Sequence, residues 1–178
     1  YRLGGGGFAS RLPQELREGK GYTYGIGSSF SGTEQVGVFS IGSGVRSNVT
    51  LEAAALVKDI MSDYAATFTE NDLEVTQSFT SKSQARRFES LGAKLRVLSD
   101  IADYDLPYDY AAQQVAAVEA LTVAQVQALA TDYIRPEAMN FVIVGDAETQ
   151  LERLAELGFG APVLINDAVD ALSEYRNI

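Results

Sequence analysis

Ten residues, Leu3 to Leu12, read LGGGGFASRL and hold four consecutive glycines. Gly4, Gly6 and Ala9 fit a relaxed dinucleotide-binding pattern, G-x-G-x-x-A, in which backbone N–H groups approach a pyrophosphate. That chemistry needs a strand before the glycines, and only three residues precede Gly4. A phosphate-binding P-loop needs Lys followed by Ser or Thr after the last glycine, and neither follows. A flexible linker is equally unsuited, because Phe8, Leu12 and Leu16 continue into an apolar helical pattern. The reading left is a helix start packed closely against another backbone.

The chain has neither histidine nor cysteine. This removes Ser-His-Asp catalysis, thiolate nucleophiles, imidazole acid–base chemistry, disulfides and the usual zinc ligands. Carboxylates, Arg, Lys, Tyr, Ser and the backbone remain. Asp and Glu number 24 against 14 Lys and Arg, a net charge of −10. Nucleic-acid binding favours the opposite sign, and Arg86-Arg87 is the one adjacent basic pair. The acidic balance suits solubility, with no apolar run long enough to span a membrane. At 178 residues and 46% hydrophobic composition, a packed core is available.

The elements that must position any site follow from periodicity. A helix is expected from Leu3 to about Glu18, with Gly19 and Gly21 as stop signals. Tyr22 to Phe30 alternates, placing Tyr22, Tyr24, Ile26 and Phe30 on one strand face. After a turn at Ser31-Gly32-Thr33, Val36 to Arg46 alternates again, with Phe39, Ile41 and Val45 on one face, so a hairpin is expected. Thr50 is placed to cap a helix whose Leu51, Ala54, Val57, Met61, Tyr64 and Phe68 share one side. Thr69 to Asp72 forms a capping box opening a helix that runs past Phe88. Pro107 suits a first helical position, and Thr122 with Gln125 makes a second capping box with Val123, Val126, Leu129 and Tyr133 facing inward. Met139 to Val144 reads as a buried strand, Asp146 as the cap of a last helix, and Pro162 to Ile165 as a final short strand. The whole is α+β: one domain over residues 1–178, with helices packed on one face of an antiparallel sheet. Two strands and a late third make a thin sheet, which predicts further strands upstream of Tyr1.

Four segments, LGGGGFASRL, QELREGKGYTYGIGSSF, SIGSGVRSNVT and ALTVAQVQALATDYIRPEAMNFVIVGD, occur in that order between Leu3 and Asp146. Together they resemble the C-terminal, non-catalytic domain of the pitrilysin/insulinase family of zinc metallopeptidases, which includes the mitochondrial processing peptidases. The resemblance implies a partner: a homologous domain or subunit carrying H-x-x-E-H and the zinc. It also implies a role for two residues seven positions apart, Arg17 and Tyr24, which match an Arg and a Tyr that reach into the partner's active site. Arg17 would hold substrate carbonyls or a carboxylate, and the Tyr24 hydroxyl would bond a peptide carbonyl or an oxyanion. Without the resemblance, Arg17 reads as a solvated cation near a helix C-terminus, and Tyr24 as one of nine tyrosines. Arg11 reads as a helix support, Tyr22 as core, and Glu15 and Glu18 as surface charge. The function implied is the substrate-binding half of a zinc-dependent metalloendopeptidase for peptides or unfolded proteins, with no metal or catalytic residue of its own. The alternative is a catalytically dead structural or peptide-binding subunit of the same fold. The compartment stays open between bacterial periplasm or cell envelope and cytoplasm.

Overall fold

The computed structural model describes residues 1–33 and 35–165. Strands β1 (Thr23–Gly32) and β2 (Gly37–Val45) form an antiparallel hairpin, and helices α1 (Thr50–Tyr64), α2 (Glu70–Gln84), α3 (Leu91–Asp103), α4 (Tyr110–Glu119), α5 (Val123–Tyr133) and α6 (Ala147–Gln150) follow. The register places Phe30 opposite Phe39 and Ile26 opposite Ser43. Phe39, Ile41 and Val45 turn towards the core, as the alternation predicts.

The core forms where the α1 face meets the sheet and the N-terminal segment. Leu12 and Leu16 are completely buried, one turn apart, against Val57, Met61 and Ile26. Burial on this scale contributes roughly 1.5–3 kcal/mol per large side chain. Both capping boxes form. Thr69 N–H donates to Asp72 Oδ2 at 3.0 Å and Asp72 N–H to Thr69 Oγ1 at 3.3 Å, and Thr122 and Gln125 do the same for α5.

Several sequence expectations are corrected. The first helix begins at Arg11 rather than Leu3, because Gly7 adopts a left-handed φ of +57° and the preceding glycines form turns. The close approach itself is real. A Cβ on Gly4 would lie 2.7 Å from the Ser28 backbone nitrogen, and Ser28 N–H donates to the Gly4 carbonyl at 3.2 Å. Gly21, with φ of +61°, ends the helix, while Gly19 lies inside it. Thr50 does not cap α1; its hydroxyl donates to the Ser47 carbonyl at 2.9 Å. Helix α2 stops at Gln84, and a 3-10 turn carries Phe88. Pro107 precedes α4 by three residues instead of opening it. In α5, Ala130 is buried and Val123 and Val126 pack on the core, while Leu129 and Tyr133 face out. Residues 139–144 and 162–165 carry no strand ladder. Among the described residues no helix is long and apolar enough to cross a membrane.

Candidate functional site

Arg17 sits on a π-helical turn, Pro13–Gly19. Pro13 opens it, and the wide i→i−5 spacing shows in the bond from Lys20 N–H to the Glu15 carbonyl at 2.9 Å. Such turns insert one extra residue and are frequent at functional sites. Tyr22 N–H then reaches the Leu16 carbonyl at 2.8 Å, and left-handed Gly21 swings the chain into β1. The phase this sets buries Leu16 and leaves its neighbour Arg17 half-buried at the rim.

Tyr24 owes its position to a β-bulge. The ladder pairs Thr23 with Val45 and Gly25 with Gly44, so Tyr24 is the extra residue. Thr23 fixes the distortion: its buried hydroxyl donates to the Gly44 carbonyl at 2.6 Å and accepts the Gly25 N–H at 3.0 Å. Bulges of this kind re-aim side chains. Tyr24 is therefore 89% exposed, whereas Tyr22 packs on the core. The expectation that Tyr22, Tyr24 and Ile26 share one face fails because the bulge resets the alternation at Gly25.

The two predicted residues meet. The Arg17 guanidinium carbon lies 5.0 Å from the centre of the Tyr24 ring and 4.3 Å from that of Phe8. Phe8, 66% exposed, was not a sequence candidate. In a glycine-rich stretch it reads as a core anchor, and only the turn at Gly7 shows that it points away from the core. Among the described residues the ion pair of Arg17 is a long one, Nε to Glu18 Oε1 at 3.5 Å, with Glu18 at the surface. The site is thus a planar cation stacked over two exposed rings, its side chain 27% exposed and its described ion pair a long one at the surface. Such an arrangement can bind carbonyl or carboxylate oxygens.

A second arginine cluster lies nearby and differs in kind. Arg2 Nε reaches Asp72 Oδ1 at 2.7 Å and Arg11 Nη2 reaches Asp72 Oδ2 at 2.8 Å. Arg11 also donates to the Thr67 carbonyl at 2.7 Å and stacks on the Tyr64 ring at 4.9 Å. Burial pushes the Asp72 carboxyl up, but hydrogen bonds from Arg2, Thr69 and Arg11 outweigh it and hold its pKa at about 2. Arg11 is thus a structural support, in keeping with its sequence reading.

Zinc does not fit this chain. It has no histidine or cysteine. Among the described residues no group of three or more carboxylates is placed to hold a metal ion.

Residues 2–79 match the family model described as the peptidase M16 inactive domain. A crystal structure of a peptidase M16 inactive domain from Pseudomonas fluorescens is similar, with a TM-score of 0.68 and 30% identity over 76% of this chain and 32% of that chain. The chain therefore spans about a third of the length of that relative. No curated protein matches it.

Proposed function

We propose that this chain, whose residues 2–79 match the peptidase M16 inactive domain and which is similar to a solved structure of such a domain, is the substrate-binding, non-catalytic half of a zinc-dependent metalloendopeptidase acting on peptides or unfolded proteins. The observation that carries this reading is the Arg17 cluster: a guanidinium stacked on Phe8 and Tyr24, with both rings exposed and, among the described residues, no strong internal acceptor. A cation braced by two ring faces and paired, among the described residues, with a single surface carboxylate is suited to an external acceptor. Arg17 holds a backbone carbonyl or the C-terminal carboxylate of an extended peptide. The Tyr24 hydroxyl donates to a neighbouring carbonyl. The exposed Phe8 ring offers apolar contact beside them. Zinc and the water it activates belong to the partner, a homologous catalytic domain or subunit, and no bond-breaking step is assigned to this chain.

The test is peptide hydrolysis by the assembled peptidase carrying Arg17→Ala. A hydrogen bond to a charged group contributes roughly 1.5–3 kcal/mol. The expected loss in kcat/KM is therefore about tenfold to a hundredfold, with an unchanged melting temperature, because among the described residues the ion-pair partner of Arg17 is the exposed Glu18. Wild-type kcat/KM in this variant rejects the substrate-binding role and leaves a structural subunit of the same fold. Purified alone, the chain should not hydrolyse a fluorogenic peptide, and metal-dependent turnover by it would overturn the division of labour.

A further inference from the structure

The bulge that aims Tyr24 sits in a part of the hairpin with little side chain to hold it. Gly25 faces Gly44 across the ladder, and Gly27 faces Gly42. Among the described residues, a Cβ on Gly25, Gly42 or Gly44 would meet nothing within 4 Å. Glycine weakens a strand, because it packs no side chain and has more freedom to lose. Something other than packing must keep the bulge in one shape.

Two hydroxyls are placed to do so. Thr23 is only 8% exposed, at a strand position where valine has a similar shape and needs no partner. A buried hydroxyl costs stability unless it is hydrogen-bonded, and this one is used to capacity. Its proton goes to the Gly44 carbonyl at 2.6 Å, and it accepts the Gly25 N–H at 3.0 Å. The Ser43 hydroxyl, on β2, shares its proton between Thr23 Oγ1 at 2.9 Å and the Gly25 carbonyl at 3.0 Å. The Gly25 N–H belongs to the rigid peptide plane that leaves Tyr24. Holding it fixes the ψ angle of Tyr24, while the pairing of Thr23 with Val45 fixes the chain just before. The direction of the Tyr24 ring, and its stack with Arg17 at 5.0 Å, then follow from a hydroxyl one residue away.

We propose that Thr23, braced by Ser43, is a positioning residue for the Arg17–Tyr24 site. Its hydroxyl bridges Gly25 and Gly44 and so holds the Tyr24 ring over the Arg17 guanidinium before any peptide arrives. A site ordered in advance spends less of its binding energy on ordering itself. The expected effect on hydrolysis rests on the substrate-binding reading of Tyr24; the geometry does not.

Nuclear magnetic resonance of the full-length protein carrying isotope-labelled arginine, together with kinetics of the assembled peptidase, tests this. The Arg17 Nε–H signal is shifted by the ring currents beside it, and Tyr24→Ala defines its position without the tyrosine. Thr23→Val should move the signal at least halfway to that position and lower kcat/KM about fivefold, as much as losing the Tyr24 hydroxyl itself. Thr23→Ser returns the hydroxyl and should restore both. Ser43→Ala, at an exposed position, should move the signal the same way by less, and can be read even if Thr23→Val does not fold. An unmoved signal in either Thr23→Val or Ser43→Ala overturns the proposal, and so does a failure of Thr23→Ser to restore it. A moved signal with wild-type kcat/KM in Thr23→Val, while Tyr24→Phe is impaired, overturns it as well. A moved signal with wild-type kcat/KM in both Thr23→Val and Tyr24→Phe upholds the positioning and removes instead the substrate-binding role of Tyr24.

Discussion

Arg11 and Arg17 lie six residues apart in one short segment and come to opposite ends. Arg11 is drawn inward, where Asp72 and the Thr67 carbonyl take up its donors. Arg17 is held at the rim by two aromatic faces that restrain it without neutralising it. Both are stacked on a tyrosine, so stacking alone does not separate them. What separates them is whether a buried carboxylate completes the cluster. An arginine whose donors are used up by the fold stabilises the fold, and one whose donors are left over is available to a ligand.

The contrast can be broken most severely at Asp72. Asp72→Asn leaves Arg2 and Arg11 facing each other without their shared counter-charge, and should cost about 3–5 kcal/mol of stability. Urea denaturation should register that loss, while kcat/KM per folded molecule stays at the wild-type value. Arg17→Lys probes the other side. It keeps the charge but loses the planar fork, so activity should fall nearly as far as in Arg17→Ala, by about 1.5–3 kcal/mol of transition-state binding, with an unchanged urea midpoint.

Acid separates the two clusters without mutation. The Asp72 pKa is held at about 2, below its ordinary 3.8. The unfolded chain therefore binds the proton more readily than the folded one. This stabilisation is fully present above about pH 4 and disappears as the pH falls towards 2, amounting to about 2 kcal/mol. Denaturation midpoints across that window should show the loss in wild type and in Arg17→Ala, and no such contribution in Asp72→Asn. A smaller effect is expected from Tyr24→Phe, which retains the ring over Arg17 and removes one hydroxyl, costing roughly 1 kcal/mol in kcat/KM. Smallest is Phe8→Ala. It releases one face of the guanidinium for roughly 0.5–1 kcal/mol. Its cost should shrink when Arg17 is already alanine, as a double-mutant cycle on kcat/KM would show.

What the sequence discloses here is what is local. The Thr69–Asp72 and Thr122–Gln125 caps span three residues and form as read. The apolar face of α1 is likewise legible, because Leu51, Val57, Met61 and Tyr64 are buried, Ala54 lies beside them, and Phe68 is buried four residues beyond the helix end. The site was half legible. Arg17 and Tyr24 could be carried over from the family resemblance. Their meeting, however, depends on a bulge created by pairing with a strand some twenty residues away, and Phe8 joins them through a left-handed glycine. A periodic pattern also defines a face without defining what covers it. Leu91, Leu95 and Leu98 line one side of α3 yet lie exposed, and residues 141–144 have a strand's composition without a strand's neighbours.

The π-helical turn at Pro13–Gly19 makes the site sensitive to length in a way its composition does not reveal. One residue in a helix corresponds to about 100° of rotation. Inserting one residue between Pro13 and Leu16, in a turn that already carries one extra, would swing everything after it round the axis by about that angle, much as adding one tooth to a gear changes the timing of everything it drives. Leu12 would keep its place while Leu16 and Arg17 rotated out of theirs. Arginine and tyrosine would both still be present, seven residues apart, and would no longer face the same way.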